Sequence, residues 1–156
     1  MSRLTVRVQA EDFDAAELQA GLQSDDAGCG GVVTFTGYVR CSNDGRDVQA
    51  LELEHYPGMT EKSIHAILDE AAQRWPLQAA TVVHRVGVLR PGEQIVWVGA
   101  GSAHREAAFA ATEFIMDYLK TRAPFWKKEH AGEGERWVDA RGSDTERARR
   151  WQSQNN

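Results

Sequence analysis

The stretch "ATVVHRVGVLRPGEQIVWVGAG", residues 80–101, decides the fold class. Both of its halves are rich in β-branched and aromatic residues, which favour strands. The turn residues Arg90-Pro91-Gly92 separate them, so the two strands are predicted to form an antiparallel hairpin. A long helix is predicted directly afterwards, over residues 103–123, and Pro124 ends it because proline cannot continue a helix.

The rest of the chain also places helices between paired strands. Further strands are predicted at 4–9, 29–40, 48–56 and 135–141, with helices at 14–22 and 61–75. The turn Asp44-Gly45 predicts that 48–56 returns antiparallel to 29–40. This order indicates an α+β fold with mainly antiparallel sheet rather than a doubly wound parallel one. The polar segment from Gly142 onward is expected to fray.

Composition limits the function classes. The chain has 156 residues, is 42% hydrophobic and 26% charged, and carries a net charge of −5. Because general nucleic-acid binders are more often basic, no nucleic-acid partner is expected, and any anion site must be local. No apolar run approaches the ~20 residues of a membrane span, and the N-terminus does not resemble a signal peptide. We therefore expect a cytoplasmic protein without a membrane partner.

The cysteines and glycine-rich segments do not indicate a bound cofactor. Cys29 and Cys41 form no CxxC pattern and lack a nearby histidine pair, so no metal site is predicted. Neither a dinucleotide-binding loop nor a P-loop occurs, and "GAGS" (99–102) is only a fragment of one. We predict no cofactor.

Positive charge is concentrated in "MDYLKTRAPFWKKEH", residues 116–130. Basic residues such as Lys120 at a helix C-terminus complement the helix dipole, which is a sufficient structural explanation there. That explanation does not extend to Lys127, beyond Pro124. A bend at Pro124 would let Lys120 and Lys127 converge on one anion. Since nearby cations lower a lysine pKa, we hypothesise that Lys120 acts as a base or nucleophile.

Two other sites carry candidate anion ligands. His104 and Arg105 occupy the start of the long helix, where free backbone N–H groups favour phosphate. Arg40 ends a strand, where side chains often emerge into a cleft. For each, a simply solvated side chain is an equally open interpretation.

Five segments together resemble the large, catalytic subunit family of molybdopterin synthases. They are "GGVVTFTGYVR" (30–40), "LELEHYPGMTEKSI" (51–64), "HRVGVLRPGEQIVWVG" (84–99), "SAHREAAF" (102–109) and "FIMDYLKTRAPFWKKE" (114–129). The resemblance runs from about Gly30 to Trp151. We expect a single large-subunit domain over residues 1–150 and a polar tail over 151–156.

The resemblance implies an α/β hammerhead with an additional antiparallel β subdomain. It also implies a homodimer that binds two copies of a small ubiquitin-like subunit, giving a heterotetramer. The small subunit ends in a Gly-Gly thiocarboxylate. Its tail would enter the large subunit and give two sulfurs to cyclic pyranopterin monophosphate, which forms the molybdopterin dithiolene. A sulfurtransferase whose sulfur arrives on a partner needs no reactive cysteine, so Cys41 is interpreted as incidental.

The family motifs also imply roles for individual residues. The catalytic pair is Lys120, at the reacting end of the tail, and Lys127, at the pterin. The substrate-binding residues implied are Tyr38, Val39, Arg40, His104, Arg105, Lys128, Glu129 and Arg141. Arg40 or Arg141 is expected to come from the neighbouring subunit. Tyr38 stands where some relatives are expected to carry lysine, which weakens the case for a direct charge role there.

Two other functions remain open from the residues. One is a non-catalytic docking module for a ubiquitin-like Gly-Gly tail, in which Lys120 would be dispensable for turnover. The other is a phosphate-ester enzyme that is active without any protein partner.

Overall fold

The computed structural model describes residues 2–23, 25–43, 45–132, 134–138 and 142–152. These residues form ten strands and four helices. In chain order they are β1 (Arg3–Gln9), α1 (Ala15–Ala20), β2 (Gly31–Tyr38), β3 (Ser42–Asn43), β4 (Arg46–Asp47), β5 (Ala50–His55), α2 (Met59–Arg74), β6 (Leu77–Arg85), β7 (Gly87–Leu89), β8 (Gln94–Ser102), α3 (Arg105–Arg122), β9 (Phe125–Ala131), β10 (Gly134–Val138) and α4 (Gly142–Gln152).

The first sheet has the strand order β1-β6-β8-β2. Strand β1 is parallel to β6, and the other pairs are antiparallel. The predicted antiparallel pairing within residues 80–101 is confirmed for β6 and β8, with Thr81 opposite Gly99. The continuation of the first strand to residue 89 is wrong, because residues 87–89 form β7, which pairs with β5 in the second sheet. Strands β6 and β8 are buried along most of their length, which accounts for the near-continuous apolar sequence.

The second sheet is antiparallel, with the order β10-β9-β5-β7. The predicted pairing of 48–56 with 29–40 is wrong, because β5 pairs with β7 and β9 whereas β2 pairs with β8. Val39 explains the separation: its N–H donates to Glu93 and its carbonyl accepts from Gly92, which hold the end of β2 beside β8. The α+β fold with an additional antiparallel sheet is confirmed.

Helices cover both faces of the first sheet. On one face α2 and α3 bury the main core, and the predicted apolar stripe of α2 is confirmed by the burial of Ile64, Ile67, Leu68 and Ala71. On the other face α1 and the residues after it close a smaller cluster around Leu22 and Trp97. No helix among the described residues is long and apolar enough to cross a membrane.

The C-terminal segment is a helix packed on the core, so the expectation that it frays is wrong through residue 152. Trp151 is 6% exposed. Its ring lies edge-on to those of Trp75 and Phe114, each at 5.5 Å between centroids. Its indole N–H donates to the buried Asp117 at 2.7 Å. One large aromatic residue therefore attaches a mostly polar helix to α3.

We predict that Trp151→Ala lowers the free energy of unfolding by about 3–5 kcal/mol, because it opens a cavity in the core and leaves Asp117 without the indole donor. Urea unfolding followed by circular dichroism measures the change. The matched control is Trp137→Ala: this tryptophan is 52% exposed, and we expect a cost of at most about 1 kcal/mol. Equal costs for the two variants would contradict the packing described for α4.

Candidate functional site

A tight corner joins the longest helix to the second sheet. Helix α3 ends at Arg122 and strand β9 begins at Phe125, only three residues later. The buried Thr60, at the start of α2, fixes this corner. Its hydroxyl donates to the Pro124 carbonyl at 3.2 Å and accepts from the Tyr56 N–H at 2.9 Å. Helix α2 therefore fixes the corner between α3 and β9.

The segment after Pro124 is a regular strand, which the sequence analysis did not predict. Strand β9 pairs with β5 on one side and β10 on the other. Because side chains alternate along a strand, Phe125, Lys127 and Glu129 face the interior. Trp126 and Lys128 lie on the opposite, outer face.

A cavity of about 590 Å³ lies where the end of β2, the end of α3 and the inner face of the second sheet meet. Six of the predicted site residues line it: Tyr38, Val39, Arg40, Lys120, Lys127 and Glu129. The other polar or charged side chains in its wall are Thr36, Ser42, Asn43, His84 and Asp144. The cavity thus collects three basic side chains in a chain that is acidic overall.

The side chains of Lys120 and Lys127 meet in this cavity, where the Lys120 ammonium can donate to the Lys127 amino group when Lys127 is neutral. Burial, and after it the positive charge of Lys120, lower the pKa of Lys127 from 10.5 to about 7. Arg40 lowers this pKa further, while Asp144 opposes the shift. The sequence predicts Lys120 as the base, whereas the structure supports Lys127, the more buried of the two lysines, in that role. Lys127 can therefore both hold and release a proton near neutral pH.

His84 forms part of the cavity wall as a neutral side chain. Burial lowers the pKa of His84 to about 3, and its ring stacks on Phe125 with 3.9 Å between centroids. Since Nδ1 lies 2.9 Å from the Arg85 carbonyl, which can only accept, Nδ1 carries the proton and Nε2 is an acceptor. His84 is therefore a packed residue that presents a neutral ring to the cavity.

The strand-end residues contribute differently to the cavity. Val39 is buried in the main core, whereas Tyr38 is 57% exposed. Arg40 is exposed and lines the cavity of its own chain, with Nη2 donating to Asn43 Oδ1 at 3.3 Å. Arg141, the other arginine expected from a neighbouring subunit, lies outside the described residues.

Two predicted residues lie at the far end of α3. Arg105 begins the helix, and His104 precedes it without a side-chain capping bond. At a rise of about 1.5 Å per residue, the fifteen residues from Arg105 to Lys120 correspond to about 22 Å. Within one chain, His104 and Arg105 are therefore distant from the lysine pair.

Lys128 is separated from the lysine pair by the alternation of β9. On the outer face its Nζ lies 3.3 Å from Glu135 Oε2 and 4.9 Å from the centre of the Trp137 ring. The structure therefore places Lys128 in a surface ion pair rather than in the cavity wall.

Sequence reasoning missed five polar residues of the wall: Thr36, Ser42, Asn43, His84 and Asp144. A correct strand assignment for 125–131 would have separated the inward residues of β9 from the outward ones. No local signal would have found Asp144, because its position depends on how α4 packs. In the described part of the chain, no group of three or more His, Cys, Asp or Glu side chains is arranged to hold a metal ion.

Comparison with known proteins agrees with this geometry. Residues 8–122 match the family model described as "MoaE protein". A Pseudomonas aeruginosa protein named molybdopterin synthase catalytic subunit is 56% identical over 149 residues, which cover 96% of this chain and 99% of that protein.

Solved structures of similar proteins show the same fold. The MoaE protein of Burkholderia ambifaria aligns with a TM-score of 0.81 at 48% identity, covering 97% of this chain and 99% of that one. The Staphylococcus aureus molybdopterin synthase aligns at 0.79 and 32%, covering 85% and 95%. The chain belongs to the MoaE protein family.

Proposed function

We infer that this chain is the catalytic subunit of a molybdopterin synthase, a sulfurtransferase. It takes two sulfurs from the thiocarboxylated C-terminus of a small ubiquitin-like subunit and adds them to cyclic pyranopterin monophosphate, which yields the molybdopterin dithiolene. Family membership and the name of the P. aeruginosa relative support this function. The observation that carries it is the contact between Lys120 and Lys127 within one cavity.

The charges of the cavity suit this reaction. A thiocarboxylate and a phosphate ester are both anions, and they repel one another when brought close. Arg40, Lys120 and Lys127 line the same space and offset that repulsion. Because the chain as a whole has a net charge of −5, this attraction is local to the cavity.

We assign the two lysines different partners. Lys120 is exposed at the end of α3, where an incoming tail can reach it, and it stabilises negative charge at the tail carbonyl. Lys127 lies deeper, and its pKa of about 7 suits a group that holds the pterin while charged and transfers a proton during the reaction.

We propose a homodimer within a heterotetramer. The distance along α3 supports it: His104 and Arg105 are about 22 Å from Lys120, so they can serve substrate only in the cavity of a neighbouring copy. Substrate roles for Arg141 and Lys128 stay predictions.

We also propose that the protein works in the cytoplasm. Cys29 and Cys41 are both free thiols, which agrees with a reducing compartment.

Replacing either lysine should abolish most of the activity. We predict that Lys120→Ala and Lys127→Ala each lower the rate of molybdopterin formation by roughly 10²- to 10⁴-fold, while affinity for the small subunit is kept. The assay mixes the variant with thiocarboxylated small subunit and precursor and measures molybdopterin by the fluorescence of its oxidised derivative. Lys62→Ala, at an exposed position on α2, is the matched control and should retain full activity.

Each alternative has its own signature in this assay. Full activity of Lys120→Ala would favour the docking module, and turnover without the small subunit would favour a partner-independent enzyme. Either result would contradict the proposed function.

Anion binding should depend on the protonation of Lys127. Inorganic sulfate, which does not titrate near neutral pH, serves as the probe in calorimetry from pH 6 to 8.5. Affinity should fall as the pH rises through about 7, because Lys127 loses its charge. Above that pH, binding should take up protons, because bound sulfate favours the charged lysine.

The control for this experiment is Lys127→Met, which removes the titrating group. It should lose most of the proton uptake, whereas any contribution from exposed histidines would persist. The same pH dependence in Lys127→Met as in the unmodified protein would contradict the assignment to Lys127.

A further inference from the structure

A chain of four hydrogen-bonded polar side chains begins at Arg40, and its first three members line the cavity. The Arg40 Nη2 donates to Asn43 Oδ1 at 3.3 Å, and Asn43 Nδ2 donates to Glu129 Oε1. The second carboxylate oxygen of Glu129 accepts from Arg136 Nε at 3.2 Å. The chain thus begins at Arg40, two residues after the end of β2, and passes through Asn43 of β3. It ends on β9 and β10 of the second sheet.

The chemistry of these groups admits only one arrangement. A guanidinium can only donate and a carboxylate accepts on both oxygens, so the Asn43 amide must point its oxygen at Arg40 and its nitrogen at Glu129. The amide is therefore fixed at both ends. A fixed oxygen restricts where the Arg40 guanidinium can lie.

Glu129 is the buried member of this chain. It is 2% exposed, and a buried carboxylate requires hydrogen bonds or a paired charge to be tolerated. Asn43 and Arg136 supply one partner to each of its oxygens. Glu129 is thus committed to protein partners, although its side chain forms part of the cavity wall.

Arg40 is the exposed end, and it needs such a restraint. A long, solvated arginine samples many rotamers, and ordering it on a ligand costs entropy. An arginine already held by one N–H, with its other donors available to the cavity, loses less on binding an oxyanion.

We propose that Asn43 is a positioning residue that holds Arg40 for an oxyanion in the cavity, and that Glu129 acts through Asn43 rather than by touching substrate. Sulfate is a sufficient probe of this positioning role. The proposed function enters only in the identity of the natural anion, which would be the phosphate of the pterin.

The first test measures sulfate affinity by calorimetry at pH 6.5. Asn43→Ala should weaken binding about 3- to 10-fold, which corresponds to one side chain left unordered. Arg40→Ala should weaken it at least as much. The double variant should bind no more weakly than Arg40→Ala alone, because Asn43 acts only through Arg40. Gln49→Ala removes an exposed amide shortly after the same ribbon and should leave the affinity unchanged.

The second test asks whether Glu129→Gln strengthens or weakens sulfate binding. Glu129→Gln removes a negative charge from the cavity wall, which by itself would strengthen sulfate binding. If Glu129 instead fixes Asn43, binding weakens: the glutamine oxygen goes to Arg136, the charged and therefore stronger donor, and the glutamine N–H groups then face the N–H groups of Asn43. Circular dichroism and urea unfolding verify that each variant is folded. If Glu129→Gln does not fold, the sulfate affinity of Asn43→Ala still decides the test.

Three results would overturn the proposal: additive losses for Asn43→Ala and Arg40→Ala, unchanged or tighter sulfate binding in folded Glu129→Gln, or no sulfate binding by the unmodified protein. In the synthase assay, Asn43→Ala should raise the KM for the phosphorylated substrate more than it lowers kcat. A protein that binds sulfate as predicted but forms no molybdopterin would contradict the proposed function and leave this inference standing.

Discussion

The burial of one lysine amino group beside a second one is the constraint on which the rest of the site depends. The corner at Pro124 turns α3 into β9 so sharply that Lys120 and Lys127 meet in one cavity. Burial, and after it repulsion by the positive charge of Lys120, disfavours the ammonium form of Lys127 and lowers the pKa of Lys127 to about 7. The same repulsion makes the cavity receptive to anions, because a bound anion relieves it.

Several distant parts of the fold maintain this arrangement. Thr60 holds the Pro124 carbonyl from the start of α2, so the corner does not rely on its own few residues. Helix α4 is attached to α3 through Trp151 and Asp117, and it brings Asp144 to the cavity wall as a counter-charge for Lys127. The stability of the C-terminal helix and the electrostatics of the site are therefore linked.

Much of the fold was predictable, because it follows from local patterns. The antiparallel pairing within 80–101, the apolar stripe of α2 and the proline that ends α3 were each correct. The missed elements depend on contacts between distant segments. Strand β9 carries a run of polar residues because only one of its faces is buried, and α4 is helical through the packing of Trp151.

The correct site predictions likewise follow from local patterns, whereas the incomplete ones depend on contacts between distant segments. A bend at Pro124 suggested that Lys120 and Lys127 meet, and they do. Without the strand assignment, "KKE" was treated as one contiguous group, whereas alternation sends Lys128 to the outer face and Glu129 inward. Which lysine loses its proton could not be predicted either, because that depends on burial, and burial follows from tertiary packing.

The central claim is that one lysine of this pair titrates near neutrality, and NMR can test it directly. The chain has only four lysines, at positions 62, 120, 127 and 128, so the Cε and Nζ resonances can be assigned with one variant each. The account predicts a single lysine with a midpoint near 7, absent from Lys127→Arg and moved upward in Lys120→Met. Four lysines that all titrate above about 10 would contradict it.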